Sequence, residues 1–242
     1  MNFYESISTY YHHIFPLNLA QVAFVRQSFS ETQQSDLLDI GCGIGGLSFE
    51  LSRHFKKVDA IDLDESMIKK AEQDFGAKAG NLNFNVLNML EIERNFGADS
   101  MDAIVCFGNT LVHLDGPEQL LNFFRQSRAV LKKHGKLLLQ IINYDRIIDQ
   151  HIQALPTIEN NNIRFVRNYR LYPDHKKLDF ETILTIKETG KTVENTIQLY
   201  PVRKQEIIEL LKNSGFNQIA LYGNFKRELF TGNSIPLVVE AS

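Results

Sequence analysis

The sequence predicts an α/β protein: a mostly parallel, doubly wound seven-stranded sheet carrying an antiparallel β-meander insertion. Three observations predict it. Short β-rich runs alternate with helical stretches over the first 142 residues, the pattern of parallel strands joined by crossover helices. The region 163–200 holds three alternating, β-branched or aromatic runs, RFVRNYRLY, KLDFETILTIKE and KTVENTIQLY, separated by turn residues, as an antiparallel meander requires. Two more strand-like runs, 217–223 and 235–240, close the chain and complete the sheet as a hairpin.

The first five strands are expected at 36–40, 58–62, 81–87, 101–107 and 136–142. Between them, Leu47, Leu51 and Phe55, and then Met67, Ala71 and Phe75, recur at four-residue spacing. Each set forms one apolar helical stripe to pack on the sheet. Pro117, two residues after Asp115, suits a first helical turn, and Gly135 follows a lysine-rich last turn like a C-terminal cap, so a helix is expected over 117–132. After Pro201, Ile207, Ile208 and Leu211 restore helical spacing until Gly215. The whole chain, 1–242, reads as one domain in which 146–201 is the meander insertion.

Composition narrows the class further. Of 242 residues, 43% are hydrophobic and 23% charged, ordinary globular usage that excludes a disordered, collagen-like or coiled-coil chain. The formal net charge of −3 supplies no positive field for nucleic acid or an anionic membrane. Cys42 and Cys106 are too few and too far apart for a disulfide framework or a metal knuckle. The N-terminal stretch MNFYESISTYYHHIFP lacks a basic leader, and no apolar run approaches a membrane span. The expectation is a soluble cytoplasmic protein without a metal, acting on a small molecule.

Residues 37–46, LLDIGCGIGG, carry the most information: a hydrophobic strand breaks into four glycines within six residues and then enters a helix. Glycines allow a tight turn and a close approach to a ligand. Gly41, Gly43 and Gly46 also satisfy the G-x-G-x-x-G spacing of dinucleotide folds, which leaves a nicotinamide-dependent oxidoreductase open. Asp39, two residues before Gly41, faces a cation better than a pyrophosphate. Asp62 ends the next strand, 19 residues after Gly43, where a carboxylate accepts hydrogen bonds from ribose hydroxyls. Together the acids point to a cationic nucleoside.

With these residues the sequence resembles the class I S-adenosylmethionine-dependent methyltransferases, whose first motif is similar to LLDIGCGIGG. The resemblance is strong over 35–142, moderate over 203–240, and implies a Rossmann-like fold with S-adenosylmethionine as cofactor. It implies that Gly41, Cys42 and Gly43 pass the cofactor's amino acid portion, that Asp39 supports its ammonium, that Asp62 holds the ribose, and that Leu63 and Met67 flank the adenine. The acid usual after the third strand is replaced by Asn88; its amide oxygen and the Met89 N–H can still meet the adenine. The run Cys106 to Leu114 is similar to the GNS/T-x-x-HL signature of the glycine N-methyltransferase-like, small-molecule branch, which puts Phe107 and Asn109 by the cofactor and offers His113 as a catalytic base. The resemblance also makes 1–30 an N-terminal helical lid. From its aromatic cluster of Tyr4, Tyr10, Tyr11 and Phe15, Tyr11 and Phe15 are the expected cofactor contacts.

The implied reaction is methyl transfer to a nitrogen or oxygen of a small-molecule acceptor by a monomer or homodimer. An acceptor carboxylate would call for an arginine, with Arg170 and Arg227 as candidates. Cys42 and Cys106 read as packing residues. The Tyr-x-x-x-Lys matches at Tyr172 and Tyr222 are interrupted by Pro173 and Gly223, so they do not present the helical dyad of a short-chain dehydrogenase. A catalytically inactive adenosyl-ligand-binding protein is the other alternative.

Overall fold

The computed structural model describes residues 7–242, so Tyr4 lies outside the described residues. Strands Asp36–Ile40 (β1), Lys57–Asp62 (β2), Leu82–Val86 (β3), Met101–Cys106 (β4) and Leu131–Ile142 (β5) run parallel. Ile219–Tyr222 (β10) and Pro236–Ala241 (β11) complete the seven-stranded sheet in the order β10-β11-β5-β4-β1-β2-β3, with β11 antiparallel to both of its neighbours. Both faces of this sheet are covered, which is why its central strands are near-continuous apolar runs. In β1, Leu37 packs into one core and Leu38 and Ile40 into the other.

The helices are Tyr11–Ile14 (α1), Leu19–Gln27 (α2), Gly46–Ser52 (α3), Glu65–Ala71 (α4), Ile92–Phe96 (α5), Pro117–Val130 (α6), Tyr144–Asp149 (α7) and Lys204–Asn213 (α8). The expected stripes lie inward: Leu51, Phe55 and Ala71 join Phe24 and Val25 of α2 on one face of the sheet. Phe123 and Phe124 of α6 and Leu211 of α8 fill the other.

Three sequence expectations change. The helix expected to 132 ends at Val130, and the strand expected from 136 begins at Leu131. Gly135 is therefore no helix cap. Pairing jumps from Met101 with Leu131 to Ala103 with Lys136, a bulge in which Gly135 lets the chain pass the Asp102 carbonyl; a Cβ there would sit 3.1 Å from that oxygen. The meander has four strands rather than three: Ala154–Glu159 (β6), Ile163–Leu171 (β7), Leu178–Ile186 (β8) and Thr192–Leu199 (β9), paired in sequence order. Pro156 disguised β6, and the structure tolerates it because β6 is an edge strand whose register shifts between Leu155 and Ile158. The first residues of the expected 146–201 insertion belong to α7.

The N-terminal stretch expected as one lid divides. Phe24 and Val25 of α2 are fully buried under the parallel sheet, so α2 is core. Ile7 and Ile14 instead pack with Ile163, Phe165 and Leu184 of the meander. Asn160 Nδ2 in the β6–β7 turn donates to the His13 carbonyl at 2.9 Å, and Asn162 Nδ2 lies 3.1 Å from His13 Nδ1.

Candidate active site

The glycine loop leaves the C-terminal end of β1, where the N–H groups of Gly41 and Cys42 both donate to the Ile61 carbonyl, at 2.8 and 3.0 Å. Gly41 holds φ +72°, and a Cβ there would collide with the Thr110 side chain. Gly43 holds φ +55°, with Tyr11 Oη 3.1 Å from where a Cβ would stand. Only glycine gives both the left-handed backbone and the close approach.

Two acids flank this loop. Asp39 is 2% exposed and accepts a 2.6 Å hydrogen bond from Ser48 Oγ. Burial pushes its pKa up to about 6 against the Ser48 bond, with the Asp62 charge adding to the rise. Asp62 accepts from the N–H of Gly43 at 2.9 Å and of Asp64 at 3.0 Å. Its pKa too is raised by burial, which outweighs these bonds. No cation stands close enough to offset either acid among the described residues. Capping of α4 falls to Asp64, which accepts from Ser66 N at 2.9 Å and Met67 N at 3.2 Å, so Asp62 is not needed there.

A cavity of about 1240 Å³ opens between the C-terminal edge of the parallel sheet and the meander. Tyr11, Phe15, Asp39, Gly41, Cys42, Phe107, Asn109 and His113 all line it. Gly43, Asp62, Leu63, Met67, Asn88 and Met89 lie outside its walls, in the glycine loop, at the ends of β2 and β3 and in α4. Tyr11 joins the two sets: its ring rests on Gly43, and burial with the Asp62 charge raises its hydroxyl's pKa. Leu63 is 69% exposed, while Met67 is sealed in. Asn88 already spends its amide oxygen on the Leu90 N–H at 2.9 Å, capping the short turn Met89–Glu91.

The segment after β4 is held from below. Asn109, at φ +70°, accepts from Ile142 N and donates to Tyr144 Oη, both at 2.9 Å. The Gly108 N–H donates to Gln140 Oε1 at 2.9 Å, a support that spacing gave no means of finding. Phe107 packs against Phe225, ring centroids 4.9 Å apart. His113 ends a 3-10 turn, Thr110–His113, rather than an α-helix. Its ring opens onto the cavity, and the surrounding protein lowers its pKa to about 4, leaving it neutral near pH 7. Burial raises both thiol pKa values, at Cys42 and Cys106, so neither is an activated nucleophile.

Neither of the arginines offered as candidates for an acceptor carboxylate lines the cavity. Arg170 pairs with Asp179 at 2.5 Å and Glu181 at 3.2 Å, and Arg227 pairs with Glu240 at 2.9 Å. Both are committed to holding strands together and lie outside the cavity. Arg167 faces it instead. The signal was present in β7: Arg167 falls in phase with the buried Phe165 and Tyr169.

Residues 37–135 match the family model described as a methyltransferase domain. A glycine/sarcosine N-methyltransferase from Aphanothece halophytica is 25% identical over 209 residues, covering 84% of this chain and 74% of the relative. Residues 37–135 are thus a methyltransferase domain. A ubiquinone biosynthesis O-methyltransferase from Coxiella burnetii is 27% identical over 127 residues, about half of each chain (52% and 51%). The solved structure of an S-adenosylmethionine-dependent methyltransferase from Clostridium acetobutylicum superposes with TM-score 0.83 at 16% identity, covering 100% of this chain and 99% of that one. The CcbJ methyltransferase from Streptomyces caelestis gives TM-score 0.81 at 19% identity over 97% and 95% of the two chains. No helix among the described residues is long and apolar enough to cross a membrane, and no group of three metal-ligating side chains is found among them.

Proposed function

We propose that the protein is a class I S-adenosylmethionine-dependent methyltransferase that transfers the methyl group to a nitrogen or oxygen of a small molecule held in the cavity between the parallel sheet and the meander. The observation that carries this reading is the cavity's continuity, from the acid-flanked glycine loop at Asp39 and Gly41 to Tyr169 and Phe180 of the meander. Its volume of about 1240 Å³ suits a cofactor portion and a small acceptor together, since single-ligand pockets measure about 300–1,000 Å³. The relatives support it, acting by their names on glycine or sarcosine nitrogen and in ubiquinone O-methylation.

The residues present fit the cofactor. Two buried acids with no cation beside them among the described residues favour a ligand bearing ammonium and sulfonium charge. The bare Cα of Gly43 lets the Tyr11 ring lie against the loop, where a side chain would press on it. Asp39, Gly41, Cys42 and Gly43 would hold the amino acid portion, Asp62 the ribose, and Leu63 and Met89 the adenine, with Met67 sealed behind them and Asn88 capping the adjoining turn. Phe107, Asn109, Tyr11 and Phe15 would enclose the sulfur. Bound there, the cofactor supplies a methyl group on a positively charged sulfur. The protein's task is alignment of the acceptor and exclusion of water. His113, neutral at the cavity wall, would accept a hydrogen bond from an amine or hydroxyl acceptor; with so low a pKa it does not keep the proton, which passes to water.

Calorimetry with S-adenosylmethionine, S-adenosylhomocysteine, NAD and NADP tests the cofactor half, and labelled methyl transfer to a panel of small amines, phenols and acids tests the acceptor half. Tight binding of the adenosyl ligands with methyl release is expected. Binding of NAD alone would return the oxidoreductase reading, and adenosyl binding without transfer to any acceptor would leave only a binding protein.

A further inference from the structure

The inner face of the meander carries a charge that methyl transfer itself does not use. Along β7, Ile163, Phe165, Arg167 and Tyr169 share one face. In register with Arg167 stand Leu155 on β6 and Thr182 on β8, and Thr182 pairs in turn with Asn195 on β9. A polar row, Arg167–Thr182–Asn195, thus crosses the sheet between two apolar rows. One is Phe165–Leu184–Val193, covered by the N-terminal segment. The other is Tyr169–Phe180–Ile197, whose three side chains line the cavity.

Arg167 lines the cavity beside that second row. Its Nη2 donates to the Pro156 carbonyl at 2.6 Å, while its Nε is buried with no hydrogen-bond partner. No acid balances it among the described residues: burial lowers its pKa, and Tyr169 is the one influence opposing this. Arg170, three residues further along β7, is by contrast satisfied by the carboxylates of Asp179 and Glu181. A half-buried guanidinium with unmet donors is costly unless something pairs with it, and planar forked donors match a carboxylate or phosphate best.

We infer that Arg167 anchors an oxyanionic group of the methyl acceptor, a carboxylate or a phosphate, whose apolar body lies along Tyr169, Phe180 and Ile197. This rests on the acceptor occupying the cavity as proposed above. It makes the preferred acceptor an amphiphilic acid, larger than a two-carbon amino acid: the apolar row beside Arg167 offers such a small molecule nothing to bury but rewards an aromatic or branched body.

The test is calorimetry on the full-length enzyme saturated with S-adenosylhomocysteine, using 3-phenylpropionate, phenyl phosphate, 3-phenylpropionamide and acetate as probes. At least one of the two aromatic anions is expected to bind about tenfold or more tighter than the amide, the range of a charge-assisted hydrogen bond. The better of the two identifies the oxyanion. Arg167→Gln should reduce that discrimination to about twofold, and Arg167→Lys should restore part of it by charge alone. Cofactor binding by both variants should match wild type. Equal affinity for acid, phosphate and amide in the wild-type enzyme would overturn the inference, as would discrimination that survives Arg167→Gln. Acetate binding as tightly as 3-phenylpropionate would overturn the apolar half. Loss of S-adenosylhomocysteine binding in the wild type would instead strike the proposed function, so the two failures are separable.

Discussion

The two walls of the cavity are built by different means. On the parallel-sheet side the wall is backbone: Gly41 holds a left-handed φ angle, Gly41 and Cys42 share one carbonyl of β2, and the Asn109 turn is pinned to β5 and Tyr144. On the meander side the wall is side chain: Tyr169, Phe180 and Ile197 project from regular antiparallel strands that would pair the same way with other apolar residues. The first wall therefore tolerates little change, while the second can be recut without disturbing the fold. On the proposed function, cofactor recognition is stored where the chain is constrained, and acceptor choice where it is free.

The sharpest way to break this contrast is Gly41→Val. The positive φ and the collision with Thr110 should together cost about 2–5 kcal/mol of stability, read by urea denaturation. A change under 1 kcal/mol, in the same measurement, would mean the loop is not held as described. Next in size, Asp62→Ala should weaken S-adenosylhomocysteine by about 1–3 kcal/mol through lost charge-assisted bonds, and calorimetry at unchanged affinity would remove it from the site. Ser48→Ala is smaller and more selective. It deletes the one bond that opposes the rise of Asp39, worth about 1 kcal/mol, and should move the carboxyl's titration further upward.

That titration has a definite sign. Because the folded pKa of Asp39 is raised to about 6, the folded protein keeps a proton that the unfolded chain has lost, and the unliganded enzyme should lose stability as pH rises from about 4 to 6. A cationic ligand favours the ionised form, so S-adenosylmethionine affinity should climb over the same interval and then level off. A flat affinity profile from pH 5 to 7.5 would show that Asp39 does not meet the ligand's charge. The smallest effect belongs to the meander: Ile197→Val should cost about 0.5 kcal/mol and leave cofactor affinity untouched, with thermal melting and calorimetry as the readouts.

How much of this was legible in the sequence follows the same division. The glycine loop, both acids and the five parallel strands could be read because steric needs at Gly41 and Gly43 and two-sided burial of β1 and β4 leave local marks. Strand β6 was not legible, since Pro156 argues against a strand unless its edge position is known. The bulge at Gly135 was read as a helix cap because a glycine after lysines looks the same in either setting. Arg170 and Arg227 drew attention as cations in the right region, but their partners, Asp179 and Glu240, come from other strands and local spacing does not reveal such pairings. Arg167 required knowing which face of β7 looks inward.

The attachment of His13 to Asn160 and Asn162 has a dynamic consequence. Ile7 and Ile14 are embedded in the same cluster as Ile163 and Phe165, so the stretch bearing Tyr11 is riveted to a hairpin tip more than 140 positions along the chain. Peeling Tyr11 away from Gly43 must either strip two isoleucines from that cluster or carry the hairpin with it. The gateway and the acceptor chamber are in this sense one mechanical part, and amide exchange at residues 14–15 and 163–165 should report a shared opening event.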